Sequence, residues 1–423
     1  MPRRLAFFRS ARIIAGRNTV ISLKNGMLIC RMRLAVQPLR TRKTDMKDPL
    51  EAFHSTIIDD IRSAHTPNVW KLPGGELRLP EVFGFCRGVK RALMMAVEAV
   101  ENSRRNNDTS RLILLGEIIH NPWVNDYFSE HGVKILSAEE RRCDRIEKHV
   151  KSGDTVIIPA FGVALPIEKR LREIGCRIID CSCGDVIRLW RWSEKAVAGG
   201  YSILIFGRSL HDETVVTKSR LEAAGGKYLV VENLNQVRLF CDMFAGKSDE
   251  AFSVFPPHAT NAGDIDSFMR LAQVSQTTML YNDTMKVQAM LKAAFDVRPC
   301  ASREDLAFQP TVCKATQARQ NASVELCKSG CDIVIVVGGF TSSNTRHLYE
   351  LARQFAPSYL IEDNSAIHNE NELLAWNAET SEPAVIKNWL PAMRPLKIGI
   401  LAGASSPEIV VGRVLTRLAG FLG

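Results

Sequence analysis

The chain has 423 residues, 46% hydrophobic and 24% charged, an ordinary globular balance with enough apolar material for two or three domains. No apolar run reaches the roughly 18 residues of a membrane-crossing helix, so a soluble protein is expected. The formal charge of +9 belongs to residues 1–44, which carry eleven Lys/Arg and no acid; removing those eleven from 55 leaves 44 basic residues against 46 acidic ones, and no folded nucleic-acid footprint is expected.

The first 45 residues read as a basic leader, disordered or not native. Three readings stay open for it. Met46 in MKDPLEAF is the native first residue, or the Arg-rich, acid-free stretch is an organellar transit peptide, or it is a functional basic arm. Beyond it, apolar strand-like runs recur at Leu112–Leu115, Thr155–Pro159, Arg177–Asp180, Ser202–Phe206, Lys227–Val231, Asp332–Val337, Ser358–Ile361 and Lys397–Leu401. Amphipathic helical patterns fall between them, at Val89–Asn102, Ile167–Ile174 and Arg346–Phe355. Strands alternating with helices predict an α/β fold with mainly parallel sheets. No repeat of 20–50 residues is visible, and no low-complexity linker divides the body.

There are eleven cysteines, an odd number in a chain without a secretory signal, which argues against a disulfide framework. Cys86 in GFCRGVKRAL, Cys183 in DCSCGDV and Cys313 in TVCKATQARQ each lie where a strand gives way to a helix. A helix N-terminus with Arg87 and Lys90 nearby favours a thiolate at Cys86; a buried core cysteine is the plainer reading. Cys181 is either the first member of a metal-binding C-x-C pair or a neighbour on the same strand face. No tight C-x-x-C knuckle is present, so structural zinc is not expected. The sequence permits three thiolates from three α/β units to converge.

A second set of residues is suited to anions and protons. HNP at His120–Pro122, His211 and Glu213 in SLHDET, QTTM at Gln276–Met279, TSSNT at Thr341–Thr345 and GASSPE at Gly403–Glu408 all stand near strand ends. Hydroxyls, an Asn and a helix N-terminus make a phosphate cradle without a Walker motif. Taken singly, each Ser/Thr cluster reads equally as a helix N-cap, and His211 as a satisfied, partly buried histidine.

The motifs GFCRGV, EIIHNPWV, PAFGV, IIDCSCGDV, LHDET, SQTTM, VCKATQARQ, GGFTSSNT and AGASSPE occur in the order found in the 4-hydroxy-3-methylbut-2-enyl diphosphate reductase (IspH/LytB) family. The resemblance covers about residues 50–423, including HSTIIDDI, and is closest to the plant and cyanobacterial branch. It implies three small α/β domains in a pseudo-threefold arrangement around a central iron–sulfur cluster. Their expected bounds follow an N-terminal segment 46–77 and are 78–183, 184–297 and 298–402, with a tail 403–423 closing the site.

The resemblance implies reductive dehydroxylation of the allylic diphosphate to isopentenyl and dimethylallyl diphosphate. It implies one 4Fe–4S cluster on Cys86, Cys183 and Cys313 with an open iron. His120, Ser342, Ser343, Asn344 and Ser405 correspond to diphosphate contacts, and His211, Glu213 and Thr277 to the group around the substrate hydroxyl. Glu213 is the expected proton donor, acting through Thr277. A ferredoxin or flavodoxin is the expected electron donor, and the cytoplasm the expected location, or a plastid if residues 1–45 are a transit peptide. The chain departs from the family at Phe161, where many bacterial members carry a second diphosphate-binding histidine. It also departs at Gly184, Ser275, Arg208 and Leu210. The other readings are a reductive dehydratase of another diphosphate and a non-enzymatic iron–sulfur regulator. The regulator would need the cysteines but no proton donor such as Glu213.

Overall fold

The structure, a computed structural model, describes residues 19–24, 27–32 and 49–423. It divides into two units, 1–47 and 48–423. Within the leader, expected to be disordered, Thr19–Lys24 (β1) and Met27–Met32 (β2) pair antiparallel, Thr19 opposite Met32; the rest of the leader lies outside the described residues.

The body opens with helix α1 (Thr56–Arg62) and two short strands, β3 (Val69–Leu72) and β4 (Gly75–Arg78). Then follow α2 (Arg87–Arg105), β5 (Leu112–Leu114), α3 (Pro122–Glu130), β6 (Val133–Ile135), α4 (Ile146–His149), β7 (Thr155–Ile158), α5 (Leu165–Ile174) and β8 (Arg177–Asp180). Next come α6 (Gly184–Ala198), β9 (Ser202–Phe206), α7 (Asp212–Ala223), β10 (Tyr228–Val231), α8 (Leu234–Phe244), β11 (Leu271–Ser275), α9 (Tyr281–Val297) and β12 (Leu306–Phe308). The chain ends with α10 (Lys314–Lys328), β13 (Ile333–Val337), α11 (Ser343–Ala352), β14 (Ser358–Ile361), a hairpin of β15 (Glu372–Asn377) and β16 (Glu382–Lys387), β17 (Leu396–Ala402) and α12 (Glu408–Leu422).

These strands build three sheets that share one order. The first runs β6-β5-β7-β8 and the second β10-β9-β11-β12, both entirely parallel. In each, the order by appearance is second, first, third, fourth. The third sheet runs β14-β13-β17-β4-β3, parallel from β14 to β4, with β3 antiparallel at its edge. Its fourth position is filled by β4, from the start of the body. The expected segment 46–77 is therefore not separate: it supplies two strands to the last sheet. Likewise β12 belongs to the second sheet, although the expected division put it beyond residue 297.

Most central strands are apolar runs, as expected when helices cover both faces of a parallel sheet; β11, which buries Gln273 and Ser275, is an exception. All five residues of β9 and of β13 are buried. The α12 helix, expected as a tail, packs Val410, Val411, Val414, Leu415, Leu418 and Leu422 into the core of the third sheet beside Trp389. Among the described residues no helix is long and apolar enough to cross a membrane.

The join between β4 and β17 depends on Gly75. Its φ of +150° is one that side chains rarely adopt, and an added Cβ would strike the Leu396 carbonyl. Gly75→Ala is expected to destabilise the fold by about 3 kcal/mol, read as a lowered urea midpoint. A midpoint equal to wild type would show that this closure is not required.

Candidate functional site

Each of the three sheets sends its fourth strand into a cysteine that caps a helix. Cys86 follows β4 and caps α2, Cys183 follows β8 and caps α6, and Cys313 follows β12 and caps α10. Cys86 Sγ accepts from Val89 N at 3.4 Å, and Cys313 Sγ from Thr316 N at 3.3 Å, with Thr316 Oγ1 at 3.1 Å. The thiols converge. A Cβ built on Gly88 would meet Cys183 Sγ at 2.6 Å and Cys86 Sγ at 3.7 Å, so only glycine fits between them. Burial pushes the Cys183 and Cys313 thiols up, and the charges of Cys86 and Glu213 push the same way. Such thiols stay protonated until a positive centre displaces their protons. Three soft donors at three helix N-termini suit an iron–sulfur cluster. Cys181, by contrast, is fully buried, and burial pushes its thiol up to about 12, as in an inert core residue.

The loops after the first and third strands of each sheet carry the remaining candidates. Crevices at the carboxyl ends of strands, where strand order reverses, are where such sheets bind ligands. His211 caps α7, and its Nδ1 accepts from Glu213 N at 3.2 Å. Nδ1 is therefore unprotonated, and Nε2 carries the proton. Burial, then the charges of His120, Arg208 and His347, hold the His211 pKa well below 6.5, so the ring is neutral. Glu213 is 1% exposed, and both carboxyl oxygens meet Thr277: Thr277 N donates to Oε1 and Thr277 Oγ1 to Oε2, each at 2.6 Å. Burial raises Glu213 to about 7 against the opposing pull of those hydrogen bonds. Thr277 is tied to the cysteines in turn, since its carbonyl accepts from Cys313 N at 3.0 Å.

His120 follows β5. Its Nδ1 lies 2.8 Å from Glu117 Oε2, and its Nε2 is buried without a partner. Phe161, at the end of β7, stacks on the His120 ring at 4.2 Å and 18°, and both rings meet His211 edge-on. Ser342 caps α11; Ser405, from the loop after β17, donates to its Oγ at 3.3 Å. Ser343 Oγ and both amide atoms of Asn344 are also buried without partners. Buried polar atoms are normally satisfied. This set, at a helix N-terminus beside a histidine, is what an anionic ligand would complete.

Sequence reasoning missed Glu117, which orients His120, the packing of Gly88, and Arg319, buried on α10. Of the departures, a side chain at Gly184 would meet open space, Arg208 and Leu210 are exposed, and Ser275 Oγ accepts from Thr284 Oγ1 at 3.1 Å in the core.

Comparison with known proteins shows that residues 77–419 match the family described as LytB protein. A 4-hydroxy-3-methylbut-2-enyl diphosphate reductase of Synechococcus sp. is 37% identical over 394 residues, 89% of this chain and 93% of that relative. Another, of Thermosynechococcus vestitus, is 34% identical, covering 86% and 89%. A solved (E)-4-hydroxy-3-methyl-but-2-enyl diphosphate reductase, the terminal enzyme of the non-mevalonate pathway, superposes at TM-score 0.50 with 26% identity over 81% of this chain and 99% of that one. A Plasmodium falciparum reductase shares the fold at TM-score 0.57 and 21% identity, over 80% and 86%.

A buried carboxyl raised to about 7 costs the fold stability once it ionises. Between the unfolded carboxyl pKa near 4.5 and the folded value near 7, the native state holds the extra proton, so stability falls as pH rises. Glu213→Gln is expected to remove this slope. Its stability relative to wild type should rise between pH 5 and pH 8, by up to ~3 kcal/mol, in urea titrations of the apoprotein. A pH-independent difference would show that Glu213 ionises normally.

Proposed function

The chain belongs to the LytB family of 4-hydroxy-3-methylbut-2-enyl diphosphate reductases, and we propose that Cys86, Cys183 and Cys313 form the floor of its active site while Glu213 supplies its proton. The reaction is reductive dehydroxylation of (E)-4-hydroxy-3-methylbut-2-enyl diphosphate to isopentenyl and dimethylallyl diphosphate, the last step of the non-mevalonate pathway. The enzyme is an iron–sulfur oxidoreductase. The three convergent thiols fit one 4Fe–4S cluster with an iron that the protein leaves free. Such a cluster supplies a Lewis acid for the substrate hydroxyl and a route for electrons.

The protein's own residues do the rest. His120, Ser342, Ser343, Asn344 and Ser405 hold the diphosphate, which takes up the unpartnered atoms at Nε2 of His120, Oγ of Ser343 and the Asn344 amide. Glu117 lies 2.8 Å from His120 Nδ1 and orients the ring, so that Nε2 is the atom turned to the phosphate. His211, neutral with its proton on Nε2, donates to the substrate without adding charge.

The C–O bond to the hydroxyl breaks, two electrons and two protons enter, and water leaves. Hydroxide is a poor leaving group, so one proton must reach the departing oxygen. The observation that carries the reading is Glu213: a fully buried carboxyl near neutrality, hydrogen-bonded to the Thr277 hydroxyl and close enough to act on Cys183 and Cys313. Glu213 holds the proton and Thr277 Oγ1 passes it on. A regulator has no use for that pair.

The two electrons come from a ferredoxin or flavodoxin type donor. Arg87 and Lys90 on α2, Arg191 on α6 and Lys314 on α10 are exposed in the N-terminal halves of the three cysteine-capped helices, a basic rim suited to an acidic protein.

Cys86→Ser, Cys183→Ser and Cys313→Ser are each expected to abolish the brown chromophore of anaerobically prepared enzyme or make it labile. A full, stable cluster in any one variant removes that residue from the ligand set. Glu213→Gln should keep the chromophore and lower turnover by roughly 100-fold or more with a chemical reductant. Wild-type turnover should also fall as pH rises through about 7, as the donor loses its proton. Near-normal turnover of the variant would end the proton-donor assignment.

A further inference from the structure

Arg319 is a buried cation without a carboxylate. It lies on α10, six residues beyond Cys313, and is 4% exposed. Its guanidinium donates only to carbonyls: Nε and Nη2 to Gly84 O at 3.1 and 2.7 Å, and Nη1 to Ala315 O at 2.9 Å. Among the described residues it makes no ion pair. Burial lowers its pKa, and the groups that act against burial are Cys86 and Cys313. An isolated charge removed from water costs several kcal/mol unless something of opposite sign offsets it. Here the available opposite charge is on the thiolates.

Its position has a second consequence. Gly84, with φ +70°, turns its carbonyl to Arg319 two residues before Cys86. Cys86 N in turn donates to Ala404 O at 3.3 Å, next to Ser405. One guanidinium thus ties the helix behind one cysteine to the loop carrying another, and that loop to the phosphate shell.

We propose that Arg319 is the fixed counter-charge of the cluster, a positioning residue that favours the reduced state and holds the Cys86 loop against α10. This rests on the reading that the three cysteines hold a cluster. One electron added to such a cluster would make the cluster–thiolate unit more negative by one charge, and a buried cation would stabilise that state more than the oxidised one. It does so without titrating, because guanidinium remains protonated.

The test is a redox titration of anaerobically prepared enzyme followed by electron paramagnetic resonance, with iron content and circular dichroism measured alongside. Arg319→Gln keeps a carbonyl-directed amide and removes the charge; Arg319→Lys keeps the charge. At a potential where wild type is partly reduced, the Gln variant is expected to show a reduced-to-oxidised ratio about tenfold lower, a shift of ~59 mV for a one-electron couple. The Lys variant should titrate near wild type. If the Gln variant retains no iron while the Lys variant does, the need for the charge is read from loading, and the inference stands. If the Gln variant titrates with wild type, or if both variants fold but lose iron equally, Arg319 is a clamp only and the counter-charge is overturned. A wild-type enzyme with no cluster signal would instead overturn the underlying assignment of the cysteines.

Discussion

The whole site depends on the pairing of β4 with β17. Two sheets of this protein make their own fourth strand, and the third does not. Borrowing β4 from the beginning of the body completes the third sheet and makes its fourth-strand exit equivalent to the other two. Only then do all three exits lead to a cysteine and a helix N-terminus. The loops after the first strands carry His120, His211 and Ser342–Asn344, and those after the third carry Phe161, Thr277 and Ser405. A site assembled in this way is global by construction. Loss of one strand pairing in the third sheet would move Cys86 and Ser405 together, because Cys86 N is bonded to Ala404 O.

Electrostatics explains why the site is built from buried groups in unusual states. Glu213 would be an ordinary carboxylate in water; burial keeps it protonatable near neutrality, and Thr277 fixes both of its oxygens. His211 would be a partial cation in water; burial and nearby positive charges keep it neutral, and the Glu213 amide fixes which nitrogen is bare. The Cys183 and Cys313 thiols, raised by burial, hold their protons until a positive centre displaces them. Stability has been given up where chemistry needs it.

Much of this was legible in the sequence, and the omissions have physical causes. All eight expected strands exist, each within two residues of its expected ends, because parallel strands covered on both faces read as unbroken apolar runs. The third strand of the second sheet, LAQVS, was missed because it buries Gln273 and Ser275, whose polarity hides the run; Gln273 Nε2 is satisfied inside by the Thr284 carbonyl. The short strands β3, β4, β6 and β12 have too few residues to show a period, and β3, β4 and β12 are the ones that settle sheet membership. The threefold repeat was invisible for a related reason. It is a repeat of strand order, and the fourth position of the last sheet lies far from the others in sequence. Residue identity pointed to Cys86, Cys183 and Cys313, but nothing in their separations of 97 and 130 residues could show that Gly88 stands between two of them. Arg319 was illegible for another reason: a charged side chain on a helix is solvated far more often than buried, and only tertiary contacts mark the exception.

Phe161 shows how a departure from a family pattern can be understood from its neighbours. A histidine at that position would bring a hydrogen-bond donor toward the diphosphate; phenylalanine brings a flat apolar face. That face lies on the His120 ring at 4.2 Å. Stacking fixes the plane of His120, and Glu117 fixes its rotation within the plane, so Nε2 is left with one direction to face. The aromatic thus exchanges a contact of its own for precision in its neighbour's contact. Under the proposed function the lost donor would leave more of the diphosphate charge to the α11 N-terminus, where Ser343 and Asn344 have unpartnered atoms and Ser405 donates to Ser342. The phosphate shell proposed for this chain therefore leans on the third sheet, the same sheet that β4 must complete, so on that proposal closure of the fold and grip on the substrate are one structural requirement.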